Sequence, residues 1–375
     1  MMKAAVYEEF GGPIRVRQVP IPSLPSDDAV LIQVMATGVC RSDWHGWKGH
    51  DDDVKNCGLP FCPGHEFSGI VVQRGQRVSK IQVGDRVAVP FILSCGDCFY
   101  CSERNQPTIC ARQKQPGFTQ WGSFAEYVAI PRADRNLCRM PEGVSFLQAA
   151  ALGCRFTTAY RAVYQQGQLQ TEQSVAVFGC GGVGLSCIML ALAKGASTIL
   201  AVDVSSDALA KAKSLGATHT VQVQGKQSSQ EITQIIQQLS ITLDGFDLTL
   251  DAAGFATTSE AAVYATRPGG RMVQVGLPHT PPSIPMARVA GKEIHIVGSH
   301  GFDGSRVLPE LLTLIASNQG SQQTLDPLQL VHAQVTLTEG CVALEAMDRK
   351  SPLGMVMITS FEDDPKNPVA LKGRL

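Results

Sequence analysis

The chain has 375 residues, 44% hydrophobic and 17% charged, with a formal net charge of −1. That length accommodates two domains of ordinary size, and the composition excludes long disordered tracts. A balance so near neutrality gives no electrostatic reason to bind nucleic acid or an anionic membrane.

Met1-Met2-Lys3 leads straight into strand-like sequence without an apolar leader, and no apolar run approaches the ~20 residues of a membrane span. A cytoplasmic protein is therefore expected. In a reducing compartment the 12 cysteines are free thiols or metal ligands rather than disulfides.

About the first 150 residues read as β-rich. Short apolar runs at Ala29–Val34, Gly69–Val72 and Arg86–Val89 are punctuated by Gly, Pro, Asn and Asp, which predicts an antiparallel or barrel-like domain. Cys40 follows the first of these runs, and His65 stands in the turn Pro63-Gly64-His65-Glu66. With Cys154, far along the chain, they offer two thiolates and an imidazole, the three-ligand set of a metal site with one open position. Asp43 and Glu66 are placed to orient those ligands. Cys62 is the competing thiol, although Phe61 and Pro63 beside it favour a packed loop residue.

Between these positions, Cys95, Cys98, Cys101 and Cys110 give the spacing C-x2-C-x2-C-x8-C. Gaps of two residues let neighbouring thiolates face one ion, and four thiolates close a tetrahedron around zinc. Such a site has no open corner and is structural.

From Ser174 the pattern changes to strand–helix alternation. Strands are predicted at Ser174–Phe178, Thr198–Val202, Thr220–Val223, Asp247–Leu250 and Arg271–Val275, with helices at Val183–Lys194, Asp207–Leu215 and Glu231–Leu239. Repeated βα units build a doubly wound parallel sheet. The first turn reads Gly179-Cys180-Gly181-Gly182-Val183-Gly184, a G-x-G-x-x-G pattern between strand and helix. The first glycine permits the turn, the second lets backbone approach a pyrophosphate, and the third packs helix on strand. The helix start at Gly182 and Val183 adds free N–H groups and the positive end of its dipole. Asp203, 19 residues beyond Gly184, stands where a carboxylate accepts from ribose hydroxyls and repels a 2′-phosphate. NAD is thus expected rather than NADP.

After Gly276 the alternation fades. A helix near Leu308–Ile315 and a strand at Met355–Thr359 are predicted to return to the first domain, because alone they lack a core. Gly225–Gln230 reads as a polar surface loop.

Together these features resemble the zinc-dependent alcohol dehydrogenases of the medium-chain dehydrogenase/reductase superfamily. The resemblance rests on G-V-C-R-S-D-W-H at Gly38–His45, G-H-E at Gly64–Glu66, the four-cysteine lobe, L-G-C at Leu152–Cys154, and G-C-G-G-V-G. It implies a GroES-like catalytic domain over residues 1–154 and 299–375 and a Rossmann NAD-binding domain over 155–298, with the active site in the cleft between them. It implies two zinc ions per subunit. Cys40, His65 and Cys154 would hold the catalytic ion, with Glu66 behind it as an occasional ligand, and the four-cysteine lobe would hold the structural one. Ser42 would hydrogen-bond the alcohol and His45 would end its proton relay. Arg41 would contact the pyrophosphate, Trp47 and Phe91 would line the substrate pocket, and the backbone of Val275-Gly276-Leu277 would meet the nicotinamide carboxamide.

One departure is visible: the last gap of the cysteine lobe is a residue longer than is usual in the family. The expected activity is hydride transfer between a primary or secondary alcohol and NAD, in a homodimer or homotetramer. An NADPH-preferring aldehyde reductase, a formaldehyde- or polyol-directed dehydrogenase, and a non-catalytic nucleotide sensor are the alternatives.

Overall fold

In chain order the strands are β1 (Met2–Val6), β2 (Arg15–Val19), β3 (Val30–Val39), β4 (Glu66–Arg74), β5 (Arg86–Val89), β6 (Tyr127–Ile130), β7 (Cys138–Arg139), β8 (Ser174–Phe178), β9 (Thr198–Asp203), β10 (His219–Gln222), β11 (Phe246–Asp251), β12 (Thr266–Gln274), β13 (His295–Gly298), β14 (Val331–Thr336) and β15 (Met355–Ser360). The structure is a computed structural model that describes residues 1–362 apart from 240, 243, 303, 305, 306, 318–324, 350 and 351. It divides into two units, Met1–Thr157 with Gly301–Leu375, and Thr158–His300.

The first unit is built on a seven-stranded sheet of order β14-β15-β3-β4-β5-β7, with β6 also paired to β3. β3 is its hub. The sequence V-L-I-Q-V-M-A-T-G-V is apolar at nearly every position and buried along most of its length, as a strand covered on both faces must be. The run predicted to stop at Val34 continues to Val39, because its second half pairs with β15 and β4. β14 and β15 join this sheet, and β15 covers the strand predicted at Met355–Thr359, whereas β14 was not predicted. Val30, Ile32, Phe67, Val71, Val87 and Ile130 form one core beneath it, each contributing roughly 1.5–3 kcal/mol by burial.

The second unit is a six-stranded parallel sheet of order β10-β9-β8-β11-β12-β13. Counted from β8, that is the doubly wound order with its switch point between β8 and β11, where open α/β sheets bind ligands. β8 is buried at every residue. The helix Gly182–Lys194 stops at Gly195, whose φ of +84° is the left-handed cap that glycine supplies. Ser205 caps Ser206–Ser214, and a Ser228/Glu231 capping box starts Ser229–Gln238. The fading alternation after Gly276 conceals one more strand: β13 spans four residues and is mostly exposed, so it carries no apolar run. No helix among the described residues is long and apolar enough to cross a membrane.

Candidate active site

Sheet register assembles the open ligand set. β3 and β4 run antiparallel with Gly38 opposite Glu66, which sets Cys40, two residues past Gly38, beside His65, one residue before Glu66. Cys40 is also the N-cap of the helix Arg41–Trp47, and its N–H donates to Asp43 Oδ2 at 3.0 Å. Cys154 opens the helix Cys154–Tyr160. One ligand atom each from Cys40, His65, Glu66 and Cys154 lies within 4.8 Å of all the others.

His65 is fully buried and its two ring nitrogens are unequal. Nδ1 donates to Asp43 Oδ1 at 2.8 Å, a carboxylate that also accepts from the Gly64 N–H at 2.9 Å. Nε2 is buried without a hydrogen-bond partner. An orphaned imidazole nitrogen facing two sulfurs fits a zinc ion, with the carboxylate behind it fixing the tautomer. Burial disfavours the imidazolium, yet the charge and hydrogen bond of Asp43 outweigh it and raise the His65 pKa well above the usual histidine value. The two thiols share a proton: the hydrogen bond from Cys154 lowers Cys40 and raises Cys154 in return.

Glu66 has both oxygens engaged. Arg155 grips it with Nε on Oε1 at 3.0 Å and Nη2 on Oε2 at 2.5 Å, while the N–H groups of Cys154 and Arg155 donate to Oε1 at 3.1 and 3.2 Å. Burial raises a carboxylate, but the arginine charge keeps Glu66 below the usual range. Sequence reasoning missed Arg155. The available signal was one cation in the apolar run Ala-Ala-Ala-Leu-Gly-Cys-Arg-Phe, since a buried arginine requires an anion.

Aromatic residues surround the imidazole. Phe118, also missed, packs edge-on at 5.0 Å between ring centroids, and Phe91 lies at 6.0 Å and touches Phe302 in turn. Trp47 is a core residue, buried in a cluster with Tyr7, Phe61 and Phe124, and its indole N–H donates to Gly12 O at 2.7 Å. Cys62 is also a core residue, its thiol directed at the Phe124 carbonyl at 3.5 Å. Ser42 is half-buried on the helix Arg41–Trp47. On the same helix His45 Nδ1 lies 3.3 Å from His50 Nδ1, and Trp44 packs edge-on against both rings. Arg41 donates to the Met347 carbonyl at 2.6 Å and stacks on Trp44 at 3.6 Å.

The second cysteine set is brought together completely. Cys95, Cys98, Cys101 and Cys110 face one another, with sulfur separations of 4.0 Å (Cys95–Cys101) and 3.8 Å (Cys98–Cys110). Four sulfurs at ~2.3 Å from a central zinc would stand about 3.8 Å apart, so the lobe fits that ion. Backbone N–H groups of Cys98, Cys95 and Arg112 point at Cys95 and Cys110 sulfurs at 3.2–3.4 Å. The segment between Cys101 and Cys110 includes the 3₁₀ turn Pro107–Ile109, which leads directly into Cys110.

In the second unit, Gly179 adopts φ +91°, and a Cβ on Gly184 would collide with the Gly179 carbonyl. Over Gly181 a Cβ would meet nothing within 4 Å, which leaves the open cradle a pyrophosphate needs. Asp203 ends β9 and ties this loop down, accepting from the Cys180 N–H at 2.6 Å and the Ser205 N–H at 2.8 Å. The Val275 and Gly276 N–H groups donate to the Asp251 carbonyl at 3.0 and 2.8 Å, and Leu277 beyond them is exposed.

Known proteins resemble this chain in sequence and in fold. Residues 26–142 match the alcohol dehydrogenase GroES-like domain, and 182–317 match the zinc-binding dehydrogenase domain. An alcohol dehydrogenase of Geobacillus stearothermophilus is 35% identical over 80% of this chain and 84% of its own length. A probable D-xylulose reductase A of Emericella nidulans is 30% identical over 82% of this chain and 84% of its own. The alcohol dehydrogenase TADH from Thermus sp. ATN1 superposes with a TM-score of 0.84 at 32% identity, covering 96% of this chain and all of that one. The chain belongs to the zinc-dependent alcohol dehydrogenases of the medium-chain dehydrogenase/reductase superfamily.

Proposed function

We propose that this oxidoreductase transfers hydride between a primary or secondary alcohol and NAD, using two zinc ions per subunit. The observation that carries the reading is the buried, orphaned Nε2 of His65 gathered with the sulfurs of Cys40 and Cys154 within 4.8 Å. A zinc ion held there supplies Lewis acidity of the kind that brings coordinated water from a pKa of about 15.7 to about 7. The protein's own part is positioning. Asp43 orients His65, and Phe91 and Phe118 keep water from its ring. In this reading Ser42 accepts the alcohol proton and His45 carries it outward. Asp203 favours NAD, because its charge opposes a 2′-phosphate.

Thiol ligands favour a reducing compartment, and in this reading that compartment is the cytoplasm. A homo-oligomer is supported by β13, which among the described residues pairs on one side only and exposes Ile296. A panel of primary, secondary, benzylic and polyol alcohols assayed with NAD and NADP, alongside a metal count per subunit, tests the reading. Turnover with NADP alone, or full turnover in metal-free protein, sinks it.

A further inference from the structure

We propose that Arg155 keeps the fourth position of the Cys40–His65–Cys154 site open by holding Glu66 out of it. This rests on the zinc reading of that site and goes beyond it by asking what sets the number of protein ligands.

Four donors lie close enough to converge on one ion, and the fourth is Glu66. A zinc site with four protein ligands is closed and structural; a site with three admits substrate. Nothing about the position of Glu66 prevents the closed arrangement, so something must compete for its carboxylate. Arg155 does so with a planar fork on both oxygens, and the backbone N–H groups of Cys154 and Arg155 add two further donors. The pair is almost wholly buried, with side-chain exposures of 8% and 1%. Space has been cleared for it. A Cβ on Gly38 would collide with Glu66 Oε2 and lie 3.2 Å from Arg155 Nη2, and one on Gly153 would meet Glu66 Cβ at 2.5 Å. Because Arg155 directly follows Cys154, one helix start fixes both the thiol and its neighbour's restraint. Remove the guanidinium, and a buried carboxylate is left without its counter-charge, with a cation site as its nearest alternative. Arg155 is a positioning residue: it acts through Glu66.

The test uses cobalt(II)-substituted full-length enzyme, with imidazole as the exogenous ligand and the cobalt absorption spectrum as the readout. Wild type should bind imidazole with a clear spectral change. In Arg155→Met the cobalt should be retained, imidazole should bind at least about tenfold more weakly, and kcat should fall in parallel. Adding Glu66→Gln to that variant should restore imidazole binding, since an amide competes poorly for the ion. Should Arg155→Met fail to fold, Arg155→Lys carries the same test, because lysine keeps the charge without the fork and should weaken imidazole binding in the same direction. Unchanged imidazole binding in either variant overturns the proposal, as does loss of cobalt from Arg155→Met, or a double variant that stays closed. Wild-type protein that takes up no cobalt at Cys40 and Cys154 would instead overturn the zinc reading itself.

Discussion

Asp43 Oδ1 accepts from His65 Nδ1 at 2.8 Å with both side chains wholly buried, so the imidazole is left with Nε2 alone to offer inward. The same carboxylate accepts from the N–H groups of Cys40 and Gly64, which ties two strands of ligand-bearing chain to one anion. Metal-ligating histidines need such a partner to fix tautomer and ring orientation. Asp43→Ala should therefore lower zinc affinity by roughly 10–100-fold while leaving the nucleotide loop untouched. Competition with a chromophoric chelator measures it, and unchanged affinity would show that Asp43 merely caps the turn.

Cys40→Ala and His65→Ala each remove a ligand of the open set. Losing Lewis-acid assistance worth ~4 kcal/mol should lower kcat/KM by about a thousandfold. Zinc should fall from two ions to one per subunit, and NAD affinity by fluorescence titration should stay within about twofold. Native-like turnover in either variant would remove this site from the chemistry.

Some of this was legible from residues and some could not be. The four cysteines announce themselves because their spacing is local, and the glycine turn because strand and helix flank it. Arg155 showed only as a lone cation in an apolar run, and nothing local named its partner Glu66, which lies 89 residues away. Phe118 sits in a loop without periodicity, and nothing local aims its ring at His65. Trp47 shows the opposite limit: a residue two positions past His45 on a short helix faces the core because the helix must bury one side. β13 escaped because an exposed edge strand of four residues has no apolar signature.

The cysteine lobe supports a separate expectation. Cys98→Ser or Cys110→Ser should release one zinc per subunit and leave three sulfurs without a closed shell. Structural zinc contributes folding energy directly, so the midpoint of thermal unfolding should drop by on the order of 5 °C or more. Activity measured well below that midpoint should survive better than in Cys40→Ala. Equal loss in both would mean the lobe does more than hold its own fold.

Asp203 accepts from Cys180 and Ser205 N–H groups, so its carboxylate sits where the loop and the end of β9 meet. Asp203→Asn keeps one acceptor and removes the charge. The ratio of kcat/KM for NAD over NADP should shift at least about tenfold toward NADP. A ratio that does not move would mean that groups other than this carboxylate choose the cofactor.

Acidity should act with opposite sign on the loaded and metal-free protein. In the metal-free chain the Asp43 carboxylate raises His65 above its unfolded pKa, so the pair stabilises fully below about pH 6.5, and that contribution is lost as pH rises through the folded value. Zinc requires the reverse protonation: Nε2 must be bare, and Cys154, whose pKa is also raised, must be a thiolate. Zinc affinity should therefore climb steeply from about pH 6 to pH 8, by more than tenfold per unit if both protons leave. Thermal unfolding followed over that range should show metal-free protein losing stability with rising pH while loaded protein gains it. Parallel curves for the two forms would mean that zinc binds without displacing the His65 proton, and the tautomer assigned through Asp43 would have to be abandoned.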